Sequence, residues 1–313
     1  SGNSGPFKSE WGRINFLYQN KKKEIREIIS IKKNKKRQSI IKISNEKFEI
    51  CITNYKLLVR AFWMIKKINK IFENSDIYKA KYIYIYSDFR AIFEIKKRKS
   101  TIFVDKLLDL FLRKNITCII PAFSYNTNED FHLNSTRSKV GFLGNYILDK
   151  KKYVRSQHPL FSFIAIGKNA NILHKISKSA FSKNSVHGKL YMKNCYFLNF
   201  CRPLIQGNTL VHHIEHLNNA GYRFNKVFKT KLFRNSKLVG SNYSAFVRKD
   251  LNDKKSIFSF ARALKKLKNK KYFFKHKFFN SEILIYKYDN FYDDLDFLYK
   301  KNKKIFLKYQ WKK

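Results

Sequence analysis

Residues 116–125 read ITCIIPAFSY. The run is almost entirely apolar or β-branched until Pro121 interrupts it. A short apolar run bounded by a breaker suits a strand buried on both faces, with a loop at its C-terminal end. Such a run can also be a piece of buried helix, so its neighbours decide. Upstream, TIFVDKLLDLFLRKN at 101–115 reads as a helix, and AKYIYIYS at 80–87 as a β-rich run ending at the Ser87–Asp88 loop junction. Further back, residues 54–75 place Leu57, Leu58, Ala61, Phe62, Ile65, Ile68, Ile71 and Phe72 at the spacing of an amphipathic helix. Downstream come a polar loop (NTNEDFHLNSTRS), a short helix (GFLGNYILDK), a loop containing RSQHP, and the strand LFSFIAIG. LYMKNCYFLNF at 190–200 reads as another strand and 209–219 as another helix. The tail from 228 reads as strands and a helix, KSIFSFARALKKLKN.

Helices alternating with buried strands indicate a mixed α/β fold: a central β-sheet flanked by helices, in a single large domain. Ligands of such sheets tend to bind at the carboxyl ends of the strands. The domain is expected over 56–313. Residues 1–55 are charge-dense and irregular, and read as a divergent basic N-terminal segment with a short helix and a strand or hairpin.

The chain has 313 residues, 67 of them Lys or Arg against 22 Asp or Glu, a formal net charge of +45. Charge of that size attracts polyanions, which keeps a basic nucleic-acid-binding protein without catalysis among the readings. Two facts weaken it. The favoured residues Lys, Ile, Asn, Phe and Tyr all have A/T-rich codons, so genome bias alone produces this composition. The lysines are also scattered along the chain, as in KKK at 21–23, KKK at 150–152 and KKLKNKK at 265–271, and match no known nucleic-acid module. No specific nucleic acid is therefore expected. Hydrophobic residues make up 44%, enough for a packed core and too many for a disordered chain. No apolar run reaches about 18 residues, so no transmembrane span is expected. Cys51, Cys118, Cys195 and Cys201 form no CxxC pair and read as reduced thiols of a cytoplasmic protein.

One stretch stands out chemically. NTLVHHIEH at 208–216 concentrates His212, His213, Glu215 and His216 in a chain with only eight histidines. On a helix, positions 212 and 215 share a face. A carboxylate beside an imidazole favours its protonated form and fixes its tautomer, as a general base needs. His212 and His216 have the i, i+4 spacing of zinc ligands. The metalloprotease pattern, however, requires Glu directly after the first His, where His213 stands, and no third ligand is evident. No metal is expected. A solvated helix face is the remaining alternative.

Five segments in order resemble the aminoglycoside 3-N-acetyltransferase family: YIYIYSDFR, ITCIIPAFSY, STRSKVGFLGNYI, YVRSQHPLFSFIAIGKNA and NTLVHHIEHLNNAGYR. The resemblance spans about 80–228. It implies an N-acetyltransferase that moves an acetyl group from acetyl-CoA to an amine on a sugar, with no covalent enzyme intermediate. By the same resemblance His212, Glu215 and His158 are the catalytic candidates, and Ser87 and Thr209 fall at the coenzyme site. Ser87, Thr209 or backbone N–H groups are candidate donors to the oxyanion. There are departures. Tyr86 stands where the family has a His, and EIKKRKSTIF at 94–103 replaces a glycine pair near the coenzyme, so Lys97 and Arg98, with Lys96 and Lys99, are expected to take over phosphate contacts.

Aminoglycosides are polycations and call for acidic clefts, whereas a nucleotide-linked amino sugar carries phosphates and suits a basic protein. The expected acceptor is accordingly a nucleotide-linked amino sugar destined for a surface polysaccharide, with an aminoglycoside antibiotic as the alternative. A homo-oligomer is compatible with everything above.

Overall fold

The computed structural model describes residues 61, 63–91, 99–150 and 152–308. The expected helix and hairpin before residue 50, the boundary near 55, Cys51, Lys97 and Arg98 lie outside them.

The described part is built from α1 (63–73), β1 (Tyr82–Ser87), α2 (Lys99–Leu112), β2 (Thr117–Pro121), β3 (Phe131–His132), α3 (Phe142–Leu148), β4 (Val154–Arg155), β5 (Phe163–Ile166), α4 (Val186–Leu190), β6 (Cys195–Phe200), α5 (Leu210–Leu217), β7 (Arg223–Phe228), β8 (Leu232–Arg234), β9 (Lys237–Gly240), β10 (Tyr243–Arg248), α6 (Ala261–Leu267), β11 (Phe274–Phe278), β12 (Ser281–Lys287) and α7 (Tyr288–Lys301). Seven strands form one mixed sheet in the order β11-β12-β6-β1-β2-β5-β4. The centre is parallel: β1 pairs with β2 from Tyr82↔Thr117 and with β6 from Tyr82↔Cys195 to Ser87↔Phe200. The flanks are antiparallel, β5 on β2 and β12 on β6. The small pairs β7–β10 and β3–β8–β9 stand apart from this sheet.

The strand YIYIYS shows why the sheet has two covered faces. Side chains alternate along a strand. Tyr82, Tyr84 and Tyr86 enter one core, with Leu210, Val211 and Ile214 of α5 and Phe291, Leu295 and Tyr299 of α7. Ile83 and Ile85 enter the other, with Ile68 and Phe72 of α1, Phe103, Leu107 and Phe111 of α2, and Leu143 and Ile147 of α3. Both faces are therefore apolar, and the central strands read as continuous hydrophobic runs. Helix α3 sits tightly on the end of β2: a Cβ at Gly144 would lie 2.9 Å from the Pro121 carbonyl oxygen.

The mixed α/β expectation holds, with differences in detail. The strand expected over 190–200 begins only at Cys195, because Met192 and Asn194 adopt positive φ. The tail carries two helices rather than one. The low mean hydropathy of YDNFYDDLDFLYKK at 288–301 hides a helix, in which Tyr288, Phe291, Leu295 and Tyr299 bury a face at helical spacing. Asp294 pairs with Lys270 at 2.8 Å, and Asp296 with Lys300 of the same helix at 2.6 Å. Cys118, Cys195 and Cys201 are buried free thiols. Among the described residues no helix is long and apolar enough to cross a membrane.

Candidate active site

The carboxyl ends of β1, β2 and β6 open onto one edge of the sheet. A cleft of about 480 Å³ lies there, lined by Ser87, Pro121, Arg202, Thr209 and His212 among others. None of its described lining residues is Asp or Glu.

Helix α5 brings the first functional group. Gly207, with φ 66°, turns the chain into the helix, and its missing Cβ leaves room for the Phe258 ring. Thr209 occupies the N-cap and His212 and Glu215 follow one turn apart. His212 Nδ1 lies 2.7 Å from Glu215 Oε2. The same oxygen lies 2.8 Å from Arg223 Nε. The Tyr222 hydroxyl donates to Oε1 at 2.7 Å. Glu215 is fully buried, and its charge is answered on both oxygens. Burial alone would raise its carboxyl; His212, Arg223 and Tyr222 overcome that and hold it below the usual carboxylate range.

The His212 side chain is 22% exposed and lines the cleft between the rings of Phe181 and Phe258. Burial, then the Arg223 cation, lower its pKa against the pull of Glu215. The imidazole is thus neutral near pH 7. Its proton sits on Nδ1, where Glu215 accepts, and Nε2 is left bare. That is the state a general base needs before the reaction.

Thr209 and Ser87 line the same cleft, so the structure brings them together with His212 and, behind it, Glu215. His158 is placed differently. Its Nδ1 accepts from Leu160 N–H and Phe161 N–H, both at 3.2 Å, and its Nε2 lies 3.2 Å from the Ser244 carbonyl. It is 1% exposed, and burial lowers its pKa to about 4. Both nitrogens are occupied by backbone, as in a loop anchor, and it is absent from the described cleft lining. His213 is likewise anchored, to Phe181 O at 2.8 Å. Among the described residues no group of three or more His, Cys, Asp or Glu is arranged to hold a metal ion.

Sequence reasoning missed three residues. Tyr222 and Arg223 complete the Glu215 cluster, and their signal was the YR pair that follows the helix end after four residues. Arg202 lines the cleft, with its guanidinium 4.8 Å from the centre of the Tyr86 ring and Nη1 donating to Gly207 O at 2.8 Å. Its signal was a basic residue immediately past the β6 strand end.

The family model for aminoglycoside 3-N-acetyltransferase matches residues 97–296. No curated protein matches the chain. Among solved structures, aminoglycoside acetyltransferase AAC(3)-Xa superposes with TM-score 0.62 at 12% identity, covering 80% of this chain and 98% of that one. A mutant of AAC(3)-IVa in complex with a gentamicin gives 0.57 at 16%, covering 72% and 83%. AAC-IIIb, solved with CoASH, gives 0.57 at 15%, covering 71% and 91%. At these identities the structural likeness establishes the fold.

Proposed function

The chain belongs to the aminoglycoside 3-N-acetyltransferase family, and from that premise we propose that it carries an acetyl group from acetyl-CoA to the amine of an aminoglycoside-type amino sugar, with His212 as general base and Glu215 behind it. His212 on the cleft wall, with Glu215 and Arg223 buried behind it, is the observation that carries this reading. The neutral amine nitrogen attacks the thioester carbonyl carbon. His212 Nε2 takes the proton that the nitrogen loses. The C–S bond breaks, and the coenzyme A thiolate leaves and recovers that proton from the imidazolium. Glu215 stabilises the imidazolium while it lasts and keeps the ring in one tautomer. The largely apolar walls of the cleft suit the thioester end of acetyl-CoA, and Arg202 is a cation among its described lining residues.

The family's acceptor class and the gentamicin-bound relative support an aminoglycoside over the nucleotide-linked amino sugar expected from charge. One observation favours the nucleotide-linked sugar: the described cleft lining offers a polycation no carboxylate and contains Arg202. The noncatalytic nucleic-acid reading draws no support from family membership.

Thiol release from acetyl-CoA, measured with gentamicin, sisomicin and a panel of nucleotide-linked amino sugars, tests the reading. Turnover with an aminoglycoside, reduced about 100-fold or more in Glu215→Gln, is expected. Turnover only with nucleotide-linked sugars replaces the acceptor and keeps the mechanism. Full activity in Glu215→Gln removes the mechanism.

A further inference from the structure

Beside His212 the cleft wall presents a hydroxyl held by three protein partners, one of which, Tyr86, also lines the cleft. Thr209 Oγ1 is 2.9 Å from His187 Nε2, 3.2 Å from the Tyr86 hydroxyl and 3.4 Å from the Tyr84 hydroxyl. The two tyrosine oxygens are 2.9 Å apart, and Tyr86 also receives the Thr209 N–H at 3.2 Å. His187 is fully buried. Its Nδ1 lies 3.2 Å from the Tyr288 hydroxyl, which donates to the His187 carbonyl at 3.0 Å. The His212–Glu215 mechanism uses neither His187 nor Tyr288.

Counting protons assigns the direction of each bond. A hydroxyl has one proton and an imidazole ring nitrogen at most one. Tyr288 places its proton on the carbonyl, so it faces His187 Nδ1 as an acceptor, and Nδ1 carries the ring proton. Burial keeps the ring uncharged, its pKa well below the usual value. Nε2 is then bare and takes the Thr209 proton. Tyr84 and Tyr86 share one proton between themselves and have one left for Thr209. The Thr209 oxygen gives its proton to His187 and accepts one proton from the tyrosine pair. One lone pair remains for the cleft. The protons are assigned from the heavy-atom network.

We propose that His187 is a positioning residue that makes Thr209 a hydrogen-bond acceptor in the cleft, so that Thr209 Oγ1 holds one N–H of the attacking amine while His212 Nε2 takes the other proton. This rests on the transferase reading. Thr209 and His212 are three residues apart on the first turn of α5 and share a face, so both address the same nitrogen. The nitrogen keeps the proton held by Thr209 and loses only the one passed to His212. Thr209 thereby moves from the coenzyme to the acceptor. With its proton committed to His187, it does not donate to the oxyanion.

Nitrogen NMR of the full chain labelled at histidine reads the tautomer without any substrate. His187 is expected to carry its proton on Nδ1, and its Nε2 signal to shift in Thr209→Val. A proton on Nε2 overturns the proposal, because Thr209 is then free to donate. Kinetics with acetyl-CoA and gentamicin supply the second arm. Thr209→Val is expected to lose about tenfold in kcat/KM for the acceptor, one hydrogen bond's worth, with the KM for acetyl-CoA unchanged. Thr209→Ser restores it. His187→Phe loses a similar factor, and the double variant is no slower than Thr209→Val alone. Losses that multiply, or a raised KM for acetyl-CoA, overturn it. If His187→Phe does not fold, the wild-type tautomer and the Thr209 pair decide. If wild type turns over no acceptor, the transferase reading fails, while the tautomer still reports on His187.

Discussion

Glu215 accepts hydrogen bonds from His212 and Tyr222 and forms an ion pair with Arg223, and that crowding explains the state of His212. A lone carboxylate beside an imidazole would hold it protonated. Arg223 cancels much of that pull by pairing with the same oxygen, and the ring stays neutral and basic. Taking the cation away reverses the balance. In Arg223→Gln the His212 pKa rises, so the acid limb of the kcat/KM–pH profile moves to higher pH. A profile that stays in place while activity falls would assign Arg223 a packing role only. The dyad itself was readable from the T-x-x-H-x-x-E spacing, because i, i+3 on a helix is a local relation. Arg223 was not, because its guanidinium reaches Glu215 only after the chain turns at the end of α5.

At the scale of elements, loops are tied to strands through buried polar groups. His158 pins the RSQHP loop to β10 through the Ser244 carbonyl and caps two backbone N–H groups of its own loop. His158→Ala is expected to cost about 1–3 kcal/mol of stability in urea unfolding, from the unpaired buried groups it leaves, while kcat falls less than tenfold. A kcat loss as deep as that of Glu215→Gln would return His158 to the catalytic set. The seat of α3 on β2 makes a second case. In Gly144→Ala the new methyl meets the Pro121 carbonyl, and a loss of about 1–3 kcal/mol is expected from overpacking. An unchanged unfolding midpoint would show that α3 shifts without cost. The helix–strand alternation was legible because period and length are local signals. The α7 helix escaped because its buried face is Tyr288, Phe291, Leu295 and Tyr299, two of them tyrosines, set among aspartates.

For the whole molecule, the charge of +45 acts on every ligand. Raising ionic strength screens it. The kcat/KM for a polycationic acceptor is expected to rise with salt and that for a phosphate-bearing one to fall, so a salt series separates the two acceptor classes independently of the product. Acid stability follows from the buried histidines. His158 and His213 have folded pKa values of about 4 against the usual 6.5, so the unfolded chain binds more protons between those values. Their contribution is present above about pH 6.5 and is lost as pH falls toward 4, on the order of 3 kcal/mol each, each decade of proton affinity being about 1.4 kcal/mol. A urea midpoint that stays level from pH 7 to 4 would show these rings to be accessible to protons in the folded state.

The sequence by itself determined the mixed α/β class, the order of most strands and helices, the family resemblance and the His212–Glu215 pair, because each is written in periodicity or in short spacing. Only the tertiary structure decided that both His158 ring nitrogens meet backbone groups, that Arg223 and Tyr222 complete the Glu215 cluster, and that His187, Tyr84 and Tyr86 meet at Thr209. Those contacts join residues more than a hundred positions apart in places, as with Tyr86 and Thr209, and the stacking of the tyrosine face of β1 under the start of α5 is what brings them within hydrogen-bond distance.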